Sequence, residues 1–135
     1  MGDTEKRSVA IVGSGPGGMY VAQALVEKAP DCRIDIFDRL PTPFGLIRGG
    51  VAPDHQHTKR VDRKYADTIT ENRQIRYIGN VTLGQDVSLD DLAAIYDAVV
   101  LAYGAPYDNK LGIPGEDKKN VFGSNAFVGW YNCHP

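Results

Sequence analysis

The feature that most constrains the fold is a glycine-rich turn near the amino terminus, between a strand-like segment and a helix-like segment. The apolar run 9–12 is followed at 13–18 by GSGPGG, which has glycines at the first, third and sixth positions of the G-x-G-x-x-G pattern. From 17 to 29 apolar residues recur at helical spacing, and 33–38 is a second short strand-like segment. This order predicts a β-α-β unit with parallel strands.

Each glycine of this turn has a different physical task. Gly13 permits the tight turn, Gly15 lets the backbone approach a diphosphate, and Gly18 lets the helix pack closely on the strand. Asp38 ends the second strand about twenty residues later, where its carboxylate can accept hydrogen bonds from an adenosine ribose. The pattern therefore predicts a dinucleotide site rather than a purely structural turn followed by a capping acid. By itself it does not separate FAD from NAD.

The rest of the chain continues this alternation of strands and helices. The segment 40–57 holds three prolines and three glycines, and its length and irregularity indicate a functional loop. After it, Thr58 is predicted to cap a helix that has Val61, Tyr65 and Ile69 on one face. Further predicted elements are short strands at 75–78 and 81–83, a helix at 88–95 with a capping box of Ser88 and Asp91, a strand at 98–102 covered on both faces, and a helical segment at 126–131.

Composition limits the classes of protein to which the chain can belong. With 135 residues, 42% hydrophobic and 24% charged, it has the size of one domain and enough apolar residues for a core. The net charge of −2 argues against nucleic acid and anionic lipid as partners. No apolar run is long enough for an export signal or a membrane span. Cys32 and Cys133 show no metal-ligand spacing and are expected to be free thiols of a reducing compartment.

Other candidate sites in the sequence are weaker. His55 and His57 lie beside Asp54, but no third ligand at suitable spacing follows, so no metal site is predicted. No serine, cysteine or histidine constellation indicates a nucleophilic triad, and Ser14 is explained by the phosphate loop. A local basic excess is interpreted mainly as solvated surface, with steering of an acidic ferredoxin as the alternative; it comprises Arg39, Arg48, Lys59, Arg60, Arg63 and Lys64.

The loop after the β-α-β unit carries a family resemblance. Its sequence at 40–55, LPTPFGLIRGGVAPDH, resembles the signature of the adrenodoxin reductase-like flavoproteins, which are ferredoxin-NADP reductases. Further matches occur in the same order as in that family, at 79–81, 96–100, 103–105, 113–116 and 127–132. The resemblance thus covers nearly the whole chain from Val9 onward.

The resemblance implies FAD as the cofactor, NADPH as the reductant, and a ferredoxin or adrenodoxin-like iron-sulfur protein as the electron acceptor. It also assigns cofactor-binding positions by motif, and no catalytic side chain. Glutamate is commoner than aspartate at the ribose acid, so the contact of the shorter side chain is expected to be longer or to pass through water, whereas alanine is frequent at Gly17. The assigned residues are Gly13, Gly15, Gly17 and Gly18 around the pyrophosphate, Asp38 at the ribose, and Leu46 and Leu83 along the FAD.

These patterns together predict an α/β, three-layer, Rossmann-like FAD-binding domain with a mainly parallel sheet. Residues 1–7 are expected to be a flexible terminus and 8–135 the amino-terminal part of that domain. No second G-x-G-x-x-G/A motif is present for NADPH, so the NADP-binding domain is expected to be absent and the chain to need the remainder of the reductase for turnover. The alternatives are a non-catalytic nucleotide-binding or interaction module and, less favoured, half of an NAD-linked dehydrogenase.

The last residues of the chain bear on the compartment of the protein. The ending at 132–135, NCHP, looks closer to bacterial relatives, which favours the cytoplasm over the mitochondrial matrix. Nothing at the start of the chain directs export, and an organellar presequence could have been removed. The prediction is therefore a cytoplasmic protein, with the matrix as the alternative.

Overall fold

A parallel four-stranded sheet organises the part of the chain that the computed structural model describes, residues 6–135. Residues 1–5 of the predicted flexible terminus lie outside this range. The sheet has the order β3-β2-β1-β4, and its strands are β1 (Ser8–Val12), β2 (Arg33–Phe37), β3 (Ile75–Ile78) and β4 (Ala98–Leu101). The helices of the described range are α1 (Pro16–Lys28), α2 (Leu46–Gly49), α3 (Gln56–Lys59), α4 (Val61–Glu71), α5 (Leu89–Ile95) and α6 (Ser124–Tyr131).

The predicted β-α-β unit is confirmed. β1 pairs in parallel with β2 on one side and with β4 on the other, so that Val9 lies opposite both Ile34 and Ala98. α1 begins at Pro16, where the missing amide costs no hydrogen bond because the first amides of a helix have no partner within it. The strand order reverses at β1, and in open α/β sheets ligands bind outside the carboxyl ends of the strands at such a point.

The main core lies between one face of the sheet and the helices α1 and α4. Ile11, Ile34 and Ile36 point to this face because alternate residues of a strand lie on the same side, and each is fully buried. Met19 of α1 and Tyr65 of α4 pack against them. The predicted apolar face of α4 is therefore confirmed, with Val61 and Ile69 partly buried at its ends.

The opposite face of the sheet is covered more thinly, by α5 and the residues after it. Leu92 of α5 is buried against Ala10 and Val12 of β1. The predicted capping box is present: the Ser88 Oγ accepts from the Asp91 amide at 3.0 Å, and the Asp91 carboxylate accepts from the Ser88 amide at 3.0 Å. α5 thus supplies the third layer of the predicted three-layer fold.

Three local predictions were wrong. The segment 81–83 is not a strand, because Asn80 adopts a φ of 58° that turns the chain out of the sheet, and only an isolated bridge from Leu83 to Val87 remains. Thr58 caps no helix, since it lies inside α3, whose helical turn has already begun at His55. The strand predicted at 98–102 ends at Leu101 and is not fully covered on both faces: Val100 and Val99 pack against opposite core clusters but are only partly buried, and Leu101 is 47% exposed.

A buried carboxylate ties three elements together on the second face of the sheet. Asp35 of β2 is 0% exposed and accepts two hydrogen bonds from the Arg76 guanidinium of β3, at 2.7 and 2.6 Å. The Tyr96 hydroxyl donates to it at 2.7 Å, and Arg33 lies 3.6 Å away. Burial alone would raise the pKa of Asp35, but these bonds and the two positive charges hold it below its ordinary value. Burial and the bond to Asp35 raise the pKa of Tyr96 to about 12.

The variant Asp35→Asn should lower the free energy of unfolding at pH 7 by about 2 kcal/mol, because the amide can neither balance both guanidinium groups nor accept every bond. The pKa of Asp35 is lower in the folded chain than in the unfolded one, so its stabilisation is present above the ordinary pKa and is lost as the pH falls through the folded value. Urea unfolding at pH 7 and at about pH 3 should show the difference from the parent chain shrinking in acid. The exposed Asp67→Asn serves as the control, and equal losses for both variants would contradict the prediction.

Candidate functional site

The amino terminus of α1 presents the glycine turn to a cleft. Gly13 follows β1 with a φ of 105°, and its amide donates to the Phe37 carbonyl of β2 at 2.7 Å, which fixes the turn between the two strands. No side chain caps this end of α1, and the first amides of a helix lack partners within it. The positive end of the helix dipole and its unpaired amides therefore face outward, which is the arrangement that binds phosphate groups.

The packing of the protein requires glycine at some positions of the turn and not at others. A Cβ at Gly18 would overlap the Gly13 carbonyl oxygen and lie 3.2 Å from the Ile11 Cγ2, so close packing of helix on strand requires glycine there. A Cβ at Gly13 would lie 2.6 Å from the Tyr103 Cα. Gly15, in contrast, has an ordinary φ of −69°, and a Cβ there would meet nothing within 4 Å. The fold therefore does not require glycine at position 15.

The cleft at this turn has a volume of about 1190 Å³, which is ample for a dinucleotide. It lies at the carboxyl ends of β1, β2 and β4, as the strand order requires. Gly18 does not line it, because it faces the strand. The structure does bring the other predicted site residues together along its walls: Gly13, Gly15, Gly17, Asp38, Leu46 and Leu83.

Asp38 stands directly after β2 and is anchored by the turn itself. Its Oδ2 accepts from the Ser14 amide at 2.9 Å and from the Ser14 hydroxyl, and its Oδ1 accepts from the Leu40 amide at 3.0 Å. The carboxylate is half-buried and lines the cleft. Asp38 therefore has a fixed place beside the mouth of α1, as a residue that bonds a nucleotide sugar would need.

The loop predicted to be functional packs over the glycine turn. Phe44 is buried with a φ of 88°, and a Cβ at Gly45 would lie only 3.0 Å from the Gly15 Cα. Leu46 then begins α2 and is 62% exposed toward the cleft. The Lys59 ammonium group donates to carbonyl oxygens of α2 at 3.2 and 3.1 Å. Lys59 therefore helps to hold α2 in place. One member of the predicted basic excess thus has a structural role rather than a role in steering a partner.

The sequence did not single out the far wall of the cleft as a binding surface. This wall consists of the segment after β4 and one side of α6, where Tyr103 is 60% and Trp130 is 75% exposed. The rule that ligands lie at the carboxyl ends of neighbouring parallel strands could have indicated the segment after β4. Ser14 was assigned to the phosphate loop alone, and its bond to Asp38 was missed because that partner lies far along the chain.

Comparison with known proteins agrees with this geometry. The family model described as NAD(P)-binding Rossmann-like domain matches residues 11–66. The probable mitochondrial NADPH:adrenodoxin oxidoreductase of Schizosaccharomyces pombe is 50% identical over 98% of this chain and 28% of its own length. This chain is similar to the adrenodoxin reductase-like ferredoxin-NADP reductases over nearly its whole length. The NADPH-ferredoxin reductase FprA of Mycobacterium tuberculosis is a further relative, 43% identical over 94% of this chain and 29% of its own length.

A solved structure has the same fold over nearly the whole of this chain. The structure of Mycobacterium tuberculosis FprA in complex with NADPH superposes with a TM-score of 0.93 and 42% identity over 97% of this chain and 30% of that one. The chain therefore spans less than a third of the relatives it matches. Among residues 6–135 no helix is long and apolar enough to cross a membrane, and no cluster of three potential metal ligands occurs.

Proposed function

We propose that this chain forms the FAD-binding portion of a reductase that passes electrons from NADPH to a ferredoxin or adrenodoxin-type iron-sulfur protein. The observation that carries the proposal is Gly15, a glycine that neither its φ nor its packing requires, at the mouth of a dinucleotide-sized cleft. The reaction is proposed from the names of the relatives, and dinucleotide binding is proposed from the geometry of the cleft. We further propose residues 8–135 as the boundaries of this FAD-binding part.

Each site residue has a proposed task toward the cofactor. The amides at the start of α1 bind the pyrophosphate, Gly15 leaves it room, and Gly13 and Gly17 lie beside it on the wall of the cleft. Asp38 bonds the adenosine ribose, and Leu46 and Leu83 line the cofactor farther along the cleft. Gly18 acts indirectly by letting α1 pack on β1. Hydride acceptance and single-electron donation are the chemistry that FAD supplies when it is bound.

The remainder of a reductase chain is the proposed source of the NADPH site, since this sequence contains a single G-x-G-x-x-G motif. The electron acceptor is proposed from the names of the relatives, and the exposed Arg60, Arg63 and Lys64 could attract an acidic one. The proposed compartment is the cytoplasm. The mitochondrial matrix is the alternative, because the Schizosaccharomyces pombe relative carries a mitochondrial name.

Titration of the purified 135-residue chain with FAD and with ADP tests the proposal. The expected result is saturable binding of both, with a change in flavin absorbance and quenching of its fluorescence. Binding of ADP without FAD would instead favour the non-catalytic nucleotide-binding module. If neither ligand binds at millimolar concentration, the dinucleotide assignment is wrong.

The variant Asp38→Ala should weaken binding of FAD and ADP by about tenfold or more, because a hydrogen bond from a ligand hydroxyl to a carboxylate contributes about 1.5 to 3 kcal/mol. Calorimetric titration measures the loss. Asp67→Ala removes an exposed carboxylate outside the cleft and should leave both affinities unchanged. An unaltered affinity in Asp38→Ala would remove this residue from the site.

A further inference from the structure

Ser14, the residue between the first two glycines of the motif, is fully buried, and its hydroxyl group both donates and accepts a hydrogen bond. The hydroxyl donates to the Asp38 Oδ2 and accepts from the Phe44 amide at 3.3 Å. Its single hydrogen is therefore committed to Asp38, because an amide can only donate. The side chain does not line the cleft, so Ser14 acts on a ligand only through its neighbours.

The hydrogen bonds to Asp38 determine how many ligand groups its carboxylate can accept. A carboxylate has about four acceptor positions, two on each oxygen. Both positions of Oδ2 are filled by Ser14, one by the amide at 2.9 Å and one by the hydroxyl. The Leu40 amide fills one position of Oδ1 at 3.0 Å. A single acceptor position, on Oδ1, is left for a ligand.

Ser14 also holds the turn that packs over the glycines. The Phe44 amide donates to both the carbonyl oxygen and the hydroxyl of Ser14, at 3.1 and 3.3 Å. Phe44 has a φ of 88°, which a residue with a side chain rarely adopts and which therefore needs such support. Since the carbonyl bond alone remains when the hydroxyl is removed, the turn keeps one of its two attachments to Ser14.

We propose that the Ser14 hydroxyl is a positioning group that restricts Asp38 to one ribose hydroxyl, so that adenosine recognition depends on one of the two hydroxyls and is insensitive to the other. This inference rests on the proposed function, since it concerns the sugar of the same nucleotide. Asp38 without the Ser14 hydroxyl would have a second acceptor position, on Oδ2, and could bond both sugar hydroxyls.

Calorimetric titration of the 135-residue chain with ADP, 2′-deoxy-ADP and 3′-deoxy-ADP tests the proposal. In the parent chain one deoxy analogue should bind about tenfold more weakly than ADP, and the other within about twofold of it. In Ser14→Ala the Ser14 amide still donates to Oδ2 and keeps the carboxylate in place. The analogue that was insensitive should then become several-fold weaker than ADP. Ser88→Ala, a serine outside the cleft, should keep the parent pattern.

The outcomes separate this inference from the function on which it rests. If ADP binds and both deoxy analogues lose affinity equally in the parent chain, the restriction to one hydroxyl is wrong while the nucleotide site stands. That comparison needs no variant, so it decides even if Ser14→Ala does not fold. An unchanged pattern in a folded Ser14→Ala would also overturn the role of the hydroxyl. If ADP does not bind at all, the proposed function fails and this inference fails with it.

Discussion

Replacing Gly15 with alanine is expected to weaken binding of FAD and of ADP by about 100-fold or more while the fold stays intact. Alanine adopts the φ of −69° found at Gly15 without strain, and the added methyl group would contact nothing within 4 Å. The methyl group would stand in the cleft at the amino terminus of α1, where a diphosphate has to approach the backbone amides. Titration with each ligand measures the affinity, and circular dichroism during heating measures the fold.

The neighbouring variant Gly17→Ala is the matched control. A methyl group at Gly17 would meet the Ala102 Cβ at 3.9 Å, an ordinary contact with the wall rather than an intrusion into open space. We expect Gly17→Ala to keep both affinities within about threefold of the parent chain. Full affinity in Gly15→Ala would show that no diphosphate approaches this turn, and loss of folding in Gly15→Ala would show that the turn has a structural need for glycine.

The elements that the sequence predicted well are those whose determinants are local. β1, α1 and β2 follow from an apolar run, a helical period and a second run, and each boundary fell within a residue or two of the structure. The capping box at Ser88 and Asp91 was predictable for the same reason, because both partners lie within one helical turn.

The wrong predictions concern segments whose structure depends on contacts with residues far along the chain. Val81 to Leu83 has the composition of a strand, but the chain turns at Asn80, which has a φ of 58°, and only an isolated bridge from Leu83 to Val87 forms there. β4 reads as a strand buried on both faces, yet Leu101 is exposed beside the cleft. The spacing of apolar residues does not predict which edge or face of a strand will pack against another element, because that depends on elements far along the chain.

The candidate site was predictable to a similar degree. The glycine motif and Asp38 could be found because the spacing of a β-α-β unit fixes their relative positions. The bond from the Ser14 hydroxyl to Asp38 could not, because it depends on the rotamers of two side chains from different elements. The wall formed by Tyr103 and Trp130 needed knowledge of how the segment after β4 folds back across the carboxyl ends of the strands.

Replacing Gly18 with alanine is expected to destabilise the fold, whereas Gly15→Ala is expected to weaken ligand binding and leave the fold intact. The methyl group would overlap the Gly13 carbonyl oxygen and crowd the Ile11 side chain, and both belong to a strand and turn that cannot move without separating α1 from the sheet. We expect the free energy of unfolding to fall by about 3 kcal/mol or more, a large share of the 5 to 15 kcal/mol typical of a domain. Urea unfolding followed by circular dichroism measures this loss.

Gly17→Ala is again the control, and it is expected to leave the stability of the fold unchanged or to raise it slightly. Both glycines lie in the first turn of α1, and alanine is the better helix former by about 0.5 to 1 kcal/mol. Gly17→Ala should therefore unfold at the same urea concentration as the parent chain or slightly above it. A midpoint for Gly18→Ala equal to that of Gly17→Ala would mean that α1 does not pack on β1 through this glycine. The outward direction of the amides at Gly15 depends on that packing, because it sets the position of the helix end relative to Asp38.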